Sequence, residues 1–172
     1  MDDSALVSRA AAKDVAAFSM LARQHQSKVR GLLVRLTRGN HTLADDLAQE
    51  TFLEAWRGIG NFRGESAFAT WLYRIAYSRF LMHARKRKPD DQLDEWEGET
   101  ASGEGAAHAR IDLERAMAKL SAPERAALTL CFALGLSNTE AADALEMPLG
   151  TLKSHVLRGR EKLKTILEGG TP

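Results

Sequence analysis

Ser137-Asn-Thr-Glu-Ala-Ala-Asp-Ala-Leu-Glu-Met-Pro148, continuing directly into Leu149-Gly-Thr-Leu-Lys-Ser-His-Val-Leu-Arg-Gly-Arg-Glu-Lys-Leu-Lys164, is the stretch that decides the fold. Ser137 and Glu140 stand at the spacing of a capping box, which satisfies two orphan amides at a helix start. The helix they open is short, running to Leu145, and Pro148 bounds a tight turn before the next. In that second helix Leu149, Leu152, Val156, Leu163 and Leu167 recur at helical spacing and form one apolar stripe. The opposite side carries Thr151, Ser154, Arg158 and Glu161. Lys153 and Leu157 flank that side on one edge, His155 and Lys162 on the other. Two short helices, a tight turn and a basic second helix describe the helix-turn-helix that enters a DNA major groove. A plain helical hairpin with a solvated basic face shares part of this pattern, but not the paired capping boxes.

Working outward, Ser121-Ala-Pro-Glu124 is another capping box, opening a helix to about Leu134, and Ile111–Lys119 reads as a short helix before it. Upstream, a long amphipathic helix begins at Asp14 and is stopped near Gly39-Asn40. A second runs from Thr42 to Arg57. Gly58, Gly60, Asn61 and Gly64 then make a loop. A third long helix starts near Ser66 and runs through Arg85-Lys-Arg-Lys88 until Pro89 stops it. No stretch keeps period two for long enough to argue a strand. The expected fold is all-α.

Charge divides the chain. Residues 1–89 hold 15 Lys and Arg against 8 acidic residues; residues 90–110 hold Arg110 against seven acidic ones; residues 111–172 hold eight of each. The middle segment has almost no aliphatics and cannot bury enough surface to offset the entropy of ordering. We therefore expect two small helical domains, 1–89 and 111–172, joined by a flexible acidic linker over 90–110. The lone Cys131 precludes an internal disulfide and suits a reducing cytoplasm. No run of 18 apolar residues suggests membrane insertion, and the acidic start does not read as a signal peptide. The five histidines show no metal-ligand spacing and no glycine loop is built to cradle a phosphate, so no enzyme, cofactor or metal is expected.

Leu136 to Leu163 resembles the promoter-reading domain of extracytoplasmic-function sigma factors of bacterial RNA polymerase, above all in Pro148-Leu-Gly-Thr-Leu-Lys-Ser154 followed by Arg158-Gly-Arg160. Asp45-Asp-Leu-Ala-Gln-Glu-Thr-Phe-Leu-Glu-Ala-Trp56 is similar to the segment by which these factors grip the clamp helices. Asn61-Phe-Arg-Gly-Glu-Ser-Ala-Phe-Ala-Thr-Trp-Leu-Tyr-Arg-Ile-Ala76 is similar to the segment that opens the minus-ten element.

The resemblance implies an alternative sigma factor that directs core polymerase, through its beta-prime clamp helices and beta flap, to specific promoter DNA. Control by an anti-sigma factor is implied as well. Polymerase binding would fall to Asp46, Leu47, Gln49, Glu50 and Leu53. Thr151, Lys153, Ser154, His155, Leu157 and Arg158 would contact the minus-thirty-five element. Phe62, Arg63, Trp71, Tyr73 and Ser78 would serve the minus-ten element, with Arg85 and Lys86 on phosphates upstream.

The residues themselves suit these tasks. Asp46, Gln49, Glu50 and Leu53 fall on one helical face, mixed acidic, amide and apolar. Eight of the chain's eleven aromatics lie between Phe52 and Phe80. Most are expected in the core, with Phe68, Trp71, Leu72 and Ile75 as a buried stripe. Phe62, in a glycine-rich loop beside Arg63, either stacks an unpaired base or plugs the end of the bundle. Ser78 stands where many members carry Asn, which leaves the base preferred there open. The carboxylates of the linker either mimic nucleic acid against basic polymerase walls or keep a spacer soluble. Two other readings compete: a stand-alone helix-turn-helix regulator, which leaves the Asp46–Phe52 and Phe62–Trp71 segments without a task, and a decoy that captures an anti-sigma protein, against which Lys153, Ser154 and Arg158 argue.

Overall fold

In the computed structural model, which describes residues 2–87 and 105–169, every regular element is helical. The chain opens with a helix the sequence patterning did not suggest, α1 (Asp3–Ala11), capped by the Asp2 side chain accepting from the Ser4 amide. It is nine residues long, too short to stand alone, and is held by burying Leu6 and Ala10 against α2. Asp14 caps α2 (Val15–Leu36), its carboxylate accepting from the Ala17 amide at 3.1 Å. The predicted stop at Gly39 holds: Gly39 adopts φ 83° and returns its amide to Val34 O at 2.9 Å. Asn40 then caps α3 (His41–Gly58), within a residue of expectation at each end.

A single 3-10 turn, Ile59–Asn61, leads into the Phe62–Ala67 loop and α4 (Phe68–Lys86). The helix starts two residues later than Ser66 and ends before Arg87, whose ψ of 141° is extended. Arg87 thus leaves the helix that Pro89 alone was expected to stop. The expected linker lies outside the described residues as far as 104, as do Lys88 and Pro89. Its last six residues do not: α5 spans Gly105–Ala118, well before Ile111. The acidic character that argued for flexibility belongs to 90–104, whereas Ala106, Ala107 and Ala109 are strong helix formers.

Both capping boxes form. The Ser121 amide donates to Glu124 Oε2 at 3.0 Å at the head of α6 (Ala122–Leu128), and the Ser137 amide donates to Glu140 Oε2 at 2.8 Å at the head of α7 (Asn138–Ala144). Between them α6 does not continue as α-helix to Leu134. It widens into a π turn, Thr129–Ala133, closed by Leu134 N–H to Thr129 O at 3.0 Å. Glu146, at φ 52°, makes the turn to α8 (Leu149–Leu167).

α2 is the hub of the molecule, touching α1, α3, α4, α5 and α6. The two blocks therefore share one core: Leu21, Leu32, Leu36 and Leu72 are continuous with Leu130, Ala141, Leu145 and Leu152. Polar contacts bridge the blocks too. Arg35 meets Glu114 at 3.0 Å, Arg74 meets Asp143 at 2.7 Å, and the buried Arg125 donates to Leu36 O at 3.2 Å.

α8 is seated on α6 through Gly159. A Cβ there would lie 2.9 Å from Leu128 Cδ1 and 3.3 Å from its Cγ. Lys162 Nζ clasps the Glu124 carboxylate at 2.9 and 3.1 Å. Burial pushes the Glu124 carboxyl up, but Lys162 and the Ser121 amide outweigh it and hold it below its ordinary value. Two outcomes are expected in urea unfolding. Gly159→Leu overpacks the α6–α8 contact and lowers stability by about 1–3 kcal/mol. Glu124→Gln lowers it by about 1–3 kcal/mol at pH 7, because the buried carboxylate gives up its charged hydrogen bonds from Lys162 Nζ and the Ser121 amide. Because that carboxyl is depressed in the folded protein, its contribution fades as pH falls through the carboxylate range. The gap between Glu124→Gln and the parent should therefore narrow below about pH 4.

Candidate nucleic-acid interface

The recognition helix presents the residues that the sequence placed on it. Leu152 is fully buried and Val156 and Leu163 half-buried, so the apolar stripe faces α6 over its central turns. Leu149 and Leu167, at the two ends, stay exposed. Thr151, Lys153, Ser154, Leu157 and Arg158 are exposed and His155 is half-buried. Two of them bond within the helix: Ser154 Oγ donates to Gly150 O at 3.0 Å, and Arg158 approaches His155 Nδ1 at 3.4 Å. Burial and the Arg158 charge hold His155 below its usual range, so at pH 7 it is a neutral donor and acceptor. Leu157, 58% exposed, is an apolar residue in the middle of a basic face. Such a side chain suits contact with a thymine methyl group.

On α3, Asp46, Gln49, Glu50 and Leu53 are exposed together, and Leu53, 54% exposed, gives this acidic strip an apolar centre. Leu47 lies apart from them, 2% exposed and in the core. Its place at i+1 from Asp46 turns it to the inner face, so it can support this surface only by packing beneath it.

Phe62 packs against the end of the bundle without being fully covered. The ring packs on Trp71 (centroids 5.1 Å) and edge-on to Phe68 (5.9 Å), yet remains half-buried. Arg63 beside it is exposed, and Gly64 at φ 73° makes the bend. Trp71 packs over Gly58, where a Cβ would sit 3.5 Å from its ring. Of the expected stripe, Phe68 and Leu72 are buried, whereas Trp71 and Ile75 are half-exposed. Tyr73 is 1% exposed, and burial pushes its hydroxyl pKa up. It belongs to the core and not to a surface. Ser78, Arg85 and Lys86 are exposed along α4.

Arg74 was not singled out by its sequence context. It stands one turn beyond Trp71 and lines the same cleft of about 930 Å³ as Phe62, Arg63 and Trp71. The far wall of that cleft is α7, through Thr139, Glu140 and Asp143. In this arrangement the first helix of the helix-turn-helix stands over the loop. Spacing from Trp71 could have put Arg74 on that face; its partner, 69 residues away, could not have been read from the sequence.

Known proteins share this architecture. Residues 21–89 match the family described as Sigma-70 region 2, and residues 110–163 the family described as Sigma-70, region 4. The RNA polymerase sigma-H factor of Pseudomonas aeruginosa is 38% identical, over 96% of this chain and 94% of its own. The ECF RNA polymerase sigma-E factor of Escherichia coli is 34% identical over 95% of this chain and 93% of its own. Among solved structures, the Bartonella quintana sigma factor RpoE in complex with the anti-sigma factor NepR matches with TM-score 0.74 and 29% identity, covering 90% of this chain and 98% of that one. CnrH in complex with the cytosolic domain of CnrY matches with TM-score 0.72 and 25% identity over 97% of each chain. With an acidic strip on α3, a loop aromatic and a helix-turn-helix in one order on one all-helical frame, and relatives this similar over nearly all of its length, the chain belongs to the extracytoplasmic-function sigma factors of RNA polymerase.

Proposed function

We propose that the chain reads promoters at two points, with residues 1–89 gripping core polymerase and the minus-ten element, and residues 111–172 the minus-thirty-five element. The observation that carries this is the presence of three separate surfaces on one frame: the exposed Asp46, Gln49, Glu50 and Leu53 on α3, the Phe62–Arg63 loop with the half-buried Trp71 in the cleft beneath α7, and the Thr151–Arg158 face of α8. Lys153, Ser154 and Arg158 donate to base edges and phosphates, with Thr151, His155 and Leu157 completing the contact. Phe62 stacks an unpaired base and Arg63 holds its phosphate. Ser78 lines the base pocket with a single hydroxyl, and Arg85 and Lys86 grip phosphates of the upstream duplex. Leu47 and Tyr73 support these surfaces from below.

The partners follow from those surfaces: the clamp helices and flap of core polymerase, and promoter DNA. Since the Bartonella quintana sigma factor is bound to an anti-sigma factor, and the fold matches along 98% of that chain, an anti-sigma factor is proposed here too. The polymerase carries the chemistry; this chain supplies no catalytic group. Its place of action is the cytoplasm, where the polymerase is. No helix among the described residues is long and apolar enough to cross a membrane.

Gel-shift assays test the reading. The isolated chain should bind promoter duplex weakly, and specific binding should appear once core polymerase is added. Tight, specific duplex binding by the chain alone would favour a stand-alone regulator. Within the holoenzyme, Arg158→Ala should weaken promoter binding by about 1–3 kcal/mol and relax sequence preference upstream. Phe62→Ala should cost a similar amount, about 1–3 kcal/mol, confined to open-complex formation scored by permanganate footprinting. Arg85→Ala should weaken all promoters equally and reduce the slope of log K against log salt by about 0.9.

A further inference from the structure

The cleft of about 930 Å³ beside the Phe62 loop has walls of opposite charge. One wall belongs to the first block and carries Arg63 and Arg74 around the Trp71 ring. The other is α7, which presents Glu140 and Asp143. Glu140 is fixed at the head of α7 by its capping box, its Oε2 accepting from the Ser137 amide at 2.8 Å. α7 approaches closely because it is rich in small residues, of which Ala141, Ala142 and Ala144 are buried. Arg74 closes the contact. Its Nη2 donates to Asp143 Oδ1 at 2.7 Å, and its Nε lies 3.4 Å from Asp143 O and 3.8 Å from Glu146 Oε1.

A guanidinium binds carboxylates and phosphates through the same planar fork. The donors that Arg74 turns to Asp143 and Glu146 are therefore those it would turn to a phosphate, and they cannot serve both. Arg74 stands one helical turn from Trp71, whose ring packs on Phe62 with centroids 5.1 Å apart. A strand whose base rests on Phe62 would bring its phosphates to Arg63 and Arg74. The cleft is large enough for a nucleotide. What bars one is the acidic wall, because phosphates entering a partly enclosed cleft would meet like charges.

We propose that α7 is an intramolecular stand-in for the unpaired strand, its Asp143 carboxylate, with Glu146 behind it, holding Arg74 in the place of a phosphate. Arg74 is then a further phosphate-binding residue of the minus-ten surface, available only once α7 has withdrawn. The inference rests on the reading of Phe62 as the seat of an unpaired base. It goes beyond that reading by assigning Arg74 to the strand and α7 to the competing position.

The test uses the full chain without polymerase and a fluorescein-labelled, random-sequence DNA single strand of about ten nucleotides, with binding followed by anisotropy. Asp143 and Glu146 are both exposed, so neutralising them leaves the core intact. Asp143→Asn combined with Glu146→Gln should tighten binding about fivefold, the scale expected of two partly solvated ion pairs. With Arg74→Gln added, that gain should vanish, because no guanidinium is left for the carboxylates to withhold. No gain from the double change would overturn the proposal. So would a gain that persists without Arg74, which would mean a general effect of lost negative charge. Phe62→Ala, made in the parent and in the double variant, tells the two readings apart. Weaker binding without Phe62, together with no gain from losing the carboxylates, removes only the role of α7. Binding indifferent to Phe62 in both chains removes the reading of the loop and this inference with it.

Discussion

Beside the shared apolar core, the seating of the two blocks turns on a guanidinium that has been taken out of water. Arg125 is almost wholly buried, and a buried cation is tolerated only where acceptors replace its hydration. Two of those acceptors are backbone carbonyls, Leu120 O within its own block and Leu36 O at the end of α2. The last carbonyls of a helix have no intrahelical partner and carry the negative end of its dipole. The end of α2 therefore needs a donor as much as Arg125 needs an acceptor. Separating the blocks would expose both groups to water, which compensates them in part. The packed arrangement therefore rests on this exchange of partners as well as on the shared apolar core.

That exchange matters because the surfaces differ in accessibility. The α3 strip with Leu53 faces outward, free of the second block, and the outer face of α8 is equally open. The Phe62 loop is not: α7 stands across the cleft from it, held by Arg74 on Asp143 and, more distantly, on Glu146 at 3.8 Å. These ion pairs are partly solvated and individually weak. Held in this way, the chain leaves open the α3 strip proposed for polymerase, while α7 stands across the loop proposed for the minus-ten element.

Much of this was legible in the sequence where local chemistry decides the outcome. Asp14, Asn40, Ser121 and Ser137 each cap the helix that follows them, because a side-chain oxygen at that position satisfies an amide two or three residues on. Gly39 ends α2 because it accepts a positive φ. The exposed faces of α3 and α8 followed from periodicity alone. Where tertiary contacts decide, the sequence was silent. α1 exists because Leu6 and Ala10 find α2, and the π turn at Thr129 arises from packing that no local signal announces. Leu47 and Tyr73 share segments with surface residues, and only the helical phase separates them. Arg74 and Arg125 look like ordinary surface arginines until Asp143 and Leu36 O, 69 and 89 positions away, are brought to them. The six helical residues before Ile111 were hidden by the acidic run preceding them.

The central claim is that one chain reads two DNA elements at a fixed separation while polymerase supplies the chemistry. It is tested most directly by in vitro transcription with core polymerase on a library of genomic fragments, with start sites mapped. The account predicts initiation dependent on the added chain, at starts preceded by two shared elements with one preferred spacing, and loss of initiation when that spacing is changed by a few base pairs. Transcription that starts without sequence preference, or that tolerates any spacing, would contradict it.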